Sequence, residues 1–199
     1  MVDSLSILLS IFLLLGTAAF TIVVAFTFFS FSFSKIVVMR RGILAKIVIG
    51  VLLGVLAIYG TLMGTKLDDG TIVNVRELAV MIAGVMGGPF AGVLAGLIGG
   101  IHRFTVGGAT ALPCTISTIL IGLISGFVGT KLLGKTYLLK GAVLGIGLES
   151  FAMGLILLLV QPFSKAVTIV SQIAIPMITA NTIGLLLWLY LFKRWDVLR

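Results

Sequence analysis

The chain has 199 residues, of which 60% are hydrophobic and only 10% are charged, and its mean hydropathy is +1.31. This composition excludes a soluble enzyme and indicates an all-α polytopic membrane protein with no room for a separate soluble catalytic module. The formal net charge of +8 does not point to nucleic acid, because basic residues in membrane proteins usually orient the chain in the bilayer.

Five apolar segments each have about the 20 residues, or more, that a membrane-spanning helix needs. They are predicted at residues 5–33, 43–63, 112–132, 137–160 and 167–192. The first segment is too long for the apolar core of a cleavable signal peptide and has no basic residue before it, so we expect it to be retained as a helix.

The stretch 75–104 lies between the second and third of these segments and is broken by Gly87-Gly88-Pro89. Proline cannot continue a helix but is well suited to start one, so the stretch is either one kinked span or two half-helices, 75–88 and 89–104. If the chain turns back there, ten of the fourteen Lys and Arg residues lie on the side of the basic loop that follows the first helix. A single crossing would leave only six on that side. The positive-inside rule therefore favours the half-helix pair, with the N-terminus outside and the C-terminus in the cytoplasm.

Glycines recur every four residues through the half-helix pair, which indicates close packing of helix backbones. They are Gly84, Gly88, Gly92, Gly96 and Gly100. The sequence lacks the Gly-Lys-Ser/Thr ending of a phosphate-binding loop, so packing is the favoured interpretation.

Arg76 opens the first half-helix and Arg103 closes the second, which places both near the outer side in the half-helix model. An arginine at a helix N-terminus opposes the helix dipole, so Arg76 would gain from an anion. Two guanidinium groups can offer paired donors to a carboxylate, and a helix N-terminus adds backbone N–H groups. The alternative for Arg103 is an interfacial anchor whose charge reaches the membrane surface.

The next helix begins close to these arginines and carries further polar side chains. Cys114 and Ser117 share one helix face, and Thr110 lies one turn earlier. Together with the two arginines they predict a binding site for a small organic acid that enters from outside. Each could also be a packing residue, since buried cysteine and serine are common in membrane helices.

Two polar residues flank the arginines in sequence. Asn74 is predicted to cap the first half-helix, with Glu77 as the reciprocal carboxylate of a capping box, and is also a candidate ligand contact. His102 is a further candidate contact, although an interfacial role is the commoner one. A single histidine without a nearby set of cysteines or carboxylates does not form a usual metal site, so we expect no metal and no cofactor.

Three polar residues are predicted within the later helices. Glu149 lies in the middle of a span, where a charge must be paired or neutral, so it is either a functional residue or a structural acid. Asn181 and Gln172 in the last helix more often hold helices together.

Several motifs in order resemble the LytS/YhcK-type five-transmembrane receptor domain over roughly residues 35–194. They are Asn74-Val75-Arg76, AGVMGGPFAGVLAGLIGGIHRF (83–104) and GGATALPCTISTILIGLISG (107–126). The resemblance implies the membrane sensor of a LytS-like two-component histidine kinase or of a diguanylate cyclase, in the bacterial inner membrane. It also implies a pyruvate-type carboxylate as ligand, bound by Arg76, Arg103, Cys114 and Ser117, and a homodimer.

Such receptors carry a cytoplasmic kinase or cyclase module after the last helix, whereas this chain stops at Arg199. We therefore expect residues 1–199 to be a single sensor domain, truncated or stand-alone, with no output domain and no catalysis of its own.

The Gly-Pro hairpin also resembles, more weakly, the substrate-binding subunits of energy-coupling-factor vitamin transporters. Discontinuous helices around a binding site are typical of transporters as well. A small-solute transporter or transporter subunit is therefore the alternative function, and a structural membrane protein without a ligand is a third reading.

Overall fold

The computed structural model describes residues 4–30, 42–129, 131–132 and 136–194, with side chains for 8–27, 42–129, 131–132 and 136–193. Within these ranges the protein consists of six helices, each long and apolar enough to cross a membrane. They are α1 (Ser4–Ser30), α2 (Ile43–Leu62), α3 (Arg76–Val106), α4 (Ala111–Gly129), α5 (Tyr137–Leu159) and α6 (Phe163–Arg194). The predicted all-α polytopic membrane fold is confirmed.

Helix α3 is two half-helices that turn back on each other at Gly88, whose backbone is non-helical (φ 77°, ψ −173°). Eight residues of continuous helix would separate Gly84 from Gly92 by about 12 Å. A Cβ placed on Gly92 would instead lie 2.9 Å from the Cα of Gly84. Likewise, a Cβ on Gly99 would lie 3.5 Å from Cδ of Arg76, which is 23 positions away in the chain. The predicted half-helix pair is therefore confirmed, and its members are called α3a (76–87) and α3b (89–106).

The position of the reversal follows from two neighbouring residues. A φ of +77° suits glycine, which has no Cβ to clash, and Pro89 then starts α3b with its preset φ. The tip lies close to the end of α4, because a Cβ on Gly126 would approach within 2.6 Å of the carbonyl carbon of Gly88.

The half-helix α3a forms the centre of the molecule. Every residue from 71 to 84 is buried, and a helix without an exposed face must be enclosed by other helices. Its partner α3b packs on α4 through small residues. A Cβ on Gly96 would lie 2.9 Å from the carbonyl oxygen of Thr118, and one on Gly100 would lie 3.2 Å from that of Thr115. The packing interpretation is confirmed for four glycines of the repeat but not for Gly88, where an added Cβ would meet no atom within 4 Å.

The remaining helices surround this centre. Helix α6 packs against both α5 and α1. Aromatic rings line the α1–α6 contact, where Phe26 meets Phe192 edge to face at 6.1 Å and Trp188 stacks on Phe192 at 3.7 Å. Gly141 and Gly145 of α5 bring that helix close to α6.

Several boundaries differ from the sequence prediction. Helix α6 starts at Phe163 rather than 167, because the carbonyl of Pro162 already accepts hydrogen bonds from Lys165 and Ala166. Helix α4 ends at Gly129 rather than 132. A two-stranded antiparallel ribbon, β1 (Thr65–Lys66) and β2 (Ile72–Val73), was not predicted, since strands of two residues have no periodicity to detect.

Part of the predicted topology lies outside the described residues. This applies to the end of the first predicted helix at 33 and to the basic residues Lys35, Arg40, Arg41, Lys135 and Arg199. The orientation of the termini therefore stays a prediction.

Candidate functional site

Two asparagines hold the N-terminus of α3a. Oδ1 of Asn74 accepts the backbone N–H of Arg76 at 3.0 Å, and Oδ1 of Asn181 on α6 accepts the backbone N–H of Leu78 at 3.0 Å. The amide of Asn181 also donates to the carbonyl of Asn74 at 3.3 Å. The N-cap residue is Val75, whose side chain forms no capping bond, so Asn74 binds the helix N-terminus from one position further out than predicted. These two N–H groups are occupied by side-chain oxygens and are not available to an anion.

Arg76 points into the protein and is fully buried. It forms an ion pair with Glu77, and its Nε donates to Oγ1 of Thr118 at 2.8 Å. The sequence suggested that Glu77 is the reciprocal carboxylate of a capping box, and these contacts show that it is not. It is the internal anion that meets Arg76, because a buried guanidinium requires a charged or strongly polar partner.

Arg103 is also fully buried, at the end of α3b. Its Nη1 donates to the carbonyl of Gly107, and its Nη2 donates to Oγ1 of Thr110 at 2.9 Å. Both acceptors are neutral, and no carboxylate in the described part of the chain forms an ion pair with Arg103. The interpretation of Arg103 as a residue whose charge reaches the membrane surface does not fit this burial.

Helix α4 brings Cys114 to the two arginines. Buried Cys114 is linked to each arginine through a threonine. Its carbonyl lies beside the Thr118 hydroxyl that accepts from Arg76, and its N–H donates at 3.0 Å to the carbonyl of Thr110, whose hydroxyl accepts from Arg103. The hydroxyl of Ser117 donates to the carbonyl of Cys114 at 3.0 Å, and that of Thr118 lies 2.6 Å from the same oxygen. Arg76, Arg103 and Cys114 therefore converge, with both hydroxyls one turn further along α4.

Both arginines keep hydrogen-bond donors without a protein acceptor. Among the described residues, Nη1 of Arg76 and Nε of Arg103 have no partner, and neither has Oε2 of Glu77. Buried polar atoms in native proteins are nearly always satisfied, so these donors indicate a place where a polar ligand or water can bind.

The β-ribbon covers the turn that leads from Arg103 to Thr110. Gly70 at its tip packs backbone to backbone against Gly108, and both have a positive φ. Asp69 stabilises the tip by accepting from the backbone N–H and the hydroxyl of Thr71 at 2.9 and 3.0 Å. The ribbon tip therefore contacts the turn whose Gly107 carbonyl binds Arg103, and this turn remains partly exposed.

His102 is not brought into the arginine cluster by any described contact. Its carbonyl accepts from Thr105, its side chain is half-buried, and its buried Nδ1 has no partner in the described ranges. Within the same ranges, no three His, Cys, Asp or Glu side chains come together as a potential metal site.

Two open grooves lie at opposite ends of the bundle, and neither is lined by the arginines. The larger, of about 650 Å³, lies between α4 and α5 beside Lys131 and Lys140. The smaller, of about 340 Å³, separates the β-ribbon from the start of α6 beside Lys66 and Lys165.

Sequence reasoning missed Thr118 and placed Glu77 in another role, whereas the interpretation of Asn181 as a residue that holds helices together is confirmed. Thr118 could have been found, because it lies four residues after Cys114 and therefore on the same helix face. The pairing of Asn181 with α3a joins positions 103 residues apart, and spacing within one helix carries no signal for that.

Comparison with known proteins supplies independent information. A family model described as "5TMR of 5TMR-LYT" matches residues 30–194. The sensor protein LytS of Bacillus subtilis (strain 168) is 44% identical over 129 residues, which cover 63% of this chain and 22% of that protein. The sensor histidine kinase BtsS of Escherichia coli (strain K12) is 39% identical over 146 residues, which cover 70% of this chain and 26% of that protein.

The chain thus spans about a quarter of the length of these curated relatives. No solved structure matches it.

Proposed function

Because this chain belongs to the LytS-type family of five-transmembrane receptor domains and is a membrane sensor, we propose that it detects a small extracellular carboxylate such as pyruvate at Arg76 and Arg103. It is a multi-pass protein of the bacterial inner membrane. The proposal extends to a cytoplasmic kinase or cyclase module as its output and to a homodimer as its working form.

The unneutralised charge of Arg103 carries the proposal. A buried guanidinium with only neutral acceptors costs free energy, and an anion beside it would recover much of that cost. Nε of Arg103 and Nη1 of Arg76 are the donors that a carboxylate would engage. The Cys114 thiol can donate to a second oxygen of the ligand, such as a keto group, and the Ser117 hydroxyl can do so by giving up its bond to the carbonyl of Cys114.

Signalling then follows from differential affinity. A ligand shifts a conformational equilibrium only if it binds one state more tightly than the other. Both arginines are fully buried here, so the site has to open for an anion to enter. The β-ribbon tip and the Gly88 reversal are the elements that can move without breaking a regular helix.

Titration calorimetry with pyruvate on the purified protein tests this function. Arg103→Gln is expected to weaken binding roughly ten- to a hundredfold, because a charge-assisted partner is worth about 1.5–3 kcal/mol. Lys165→Gln removes a basic residue that is exposed near the same end and should leave the affinity unchanged. Cys114→Ser should have a milder effect than Arg103→Gln.

Two results would count against the receptor. Equal pyruvate affinity in the wild type, Arg76→Gln and Arg103→Gln would remove the arginines from the site. Counterflow of labelled pyruvate in proteoliposomes would instead establish the alternative, a transporter, for which the discontinuous helix α3 is the supporting observation.

A further inference from the structure

Glu149 is a buried carboxyl group that the proposed site does not use. It lies in the middle of α5 with a relative exposure of 0%. Neither of its oxygens has a hydrogen-bond partner within the described residues. Ionised carboxylates in protein interiors are normally paired or accept several hydrogen bonds, so the environment of Glu149 suits a neutral acid.

The helices packed against α5 offer no charge to balance Glu149. Helix α4 contains no Asp, Glu, Lys or Arg, and its one titratable side chain is Cys114. Helix α6 has none of these charged residues between Lys165 and Lys193. Where α5 meets α6, Gly145 lies against Thr182, whose hydroxyl oxygen is buried and has no described partner.

Glu149 is connected to the N-terminus of α3a through α6. Gly145, one helical turn before Glu149, contacts α6. On α6, Asn181 binds the N-terminus of α3a, which carries the charged residues Arg76 and Glu77. Arg76 is already paired with Glu77, and this pairing offsets most of the attraction that Arg76 would exert on an ionised Glu149. Among the described residues, an ionised Glu149 would therefore be buried without a hydrogen-bond partner or a free counter-ion.

We propose that Glu149 is held as a neutral acid, which leaves the arginine site with a net positive charge that selects a singly charged ligand. With Glu149 neutral, Arg76, Arg103 and Glu77 give the buried cluster a net charge of +1. A singly charged carboxylate brings this cluster to zero, whereas a dicarboxylate leaves an excess negative charge in the membrane interior. With Glu149 ionised, the cluster would already be neutral without a ligand.

Infrared spectroscopy of the unliganded protein tests the protonation state without relying on the proposed function. A protonated carboxylic acid has a carbonyl stretch that an ionised carboxylate lacks. At neutral pH the wild type should show this band, and Glu149→Gln should lose it. Asp68→Asn, the same chemical change at an exposed position, should retain it. Absence of the band in the wild type, or its persistence in Glu149→Gln, would overturn the proposal.

Binding measurements test the role in specificity, which rests on the proposed function. Wild type should bind malonate at least about tenfold more weakly than pyruvate, because the second charge has no partner. Glu149→Gln replaces one neutral group by another, so it should keep both affinities within about threefold. A gain in malonate affinity of about tenfold or more in Glu149→Gln would show that Glu149 is ionised and overturn the proposal.

Failure of every variant to bind pyruvate has a different meaning. It would overturn the proposed function and the specificity role together, and the infrared result would still decide the charge of Glu149.

Discussion

The two arginines differ in how the protein balances them, although both are fully buried. Arg76 is met by Glu77 inside the fold, whereas Arg103 rests on the carbonyl of Gly107 and the hydroxyl of Thr110. A buried ion pair neutralises its own charge, whereas a buried cation with only neutral partners keeps its full charge in the interior. At the scale of single residues, Arg103 is therefore the better indicator of a ligand, and Arg76 is partly structural.

Thr118→Val tests how far the structure depends on the hydroxyl that accepts from Arg76. The change keeps the side-chain shape but leaves Nε of Arg76 buried without its acceptor. We expect the free energy of unfolding to fall by about 1–3 kcal/mol, the cost of an orphaned buried donor. Chemical denaturation in mixed micelles measures it.

Thr115→Val is the matched control on the same helix. The Thr115 hydroxyl donates to the carbonyls of Gly100 and Ala111 at 3.1 and 2.8 Å, and it serves no charged group. Its loss should cost less than the loss of the Thr118 hydroxyl. An equal loss of stability in the two variants would mean that the hydrogen bond to Arg76 contributes no more to stability than the hydroxyl–carbonyl bonds of Thr115.

At the scale of elements, the half-helix pair places both arginines at the same end of the bundle. A continuous helix of 31 residues would put Arg76 and Arg103 about 40 Å apart, at opposite ends. The reversal at Gly88 and the glycine contacts of α3b with α4 remove that separation. The glycines let α3a, α3b and α4 approach within backbone contact, and in this way they help to bring the two arginines together.

Gly92→Ala should disturb this packing directly. Its added methyl would meet the carbonyl of Gly122 on α4 and lie 2.9 Å from the Cα of Gly84. Overpacking of this kind costs about 1–3 kcal/mol, and the variant should also lose pyruvate affinity if the arginines shift. Gly147→Ala is the control, because no neighbouring atom lies within 4 Å of the added methyl.

The control should be neutral or stabilising by up to about 1 kcal/mol, since alanine favours helix over glycine. If Gly92→Ala matched the stability of the wild type, backbone contact at this position would not be needed for the fold.

At the scale of the whole molecule, the described basic residues lie near the two ends of the helices. Lys140 donates to the carbonyl of Lys131 at 2.9 Å at one end, and Lys66 and Lys165 line a groove at the other. The distribution of Lys and Arg along the sequence predicts that the end with Lys131 and Lys140 is cytoplasmic. With that orientation the arginine site would lie at the outer end of the bundle, as the proposed detection of an external solute requires.

Labelling with a membrane-impermeant maleimide tests this orientation. Cys114→Ser removes the native thiol, and single cysteines are then introduced as Asp68→Cys and Lys140→Cys, both at exposed positions. In intact spheroplasts we expect Asp68→Cys to react and Lys140→Cys to react only after permeabilisation. The opposite pattern would place the arginine site on the cytoplasmic side and remove the external ligand from the proposal.

The sequence by itself determined the properties that depend on local composition. Apolar segments of sufficient length predict membrane helices, and the distribution of Lys and Arg distinguishes a half-helix pair from a single span. Gly88 and Pro89 identify the point of reversal because each has a conformational preference of its own. Helix spacing likewise put Cys114 and Ser117 on one face.

Only the tertiary structure decided which partner each polar side chain meets. The acceptor of Arg76 on α4 is 42 positions away, and the cap from Asn181 is 103 positions from the residue it binds. Hydrogen bonds require atoms within about 3 Å, a precision that results from helix packing and not from spacing along one segment. For the same reason the sequence left Glu149 as either a functional residue or a structural acid, and its enclosure without a partner makes its charge a testable question.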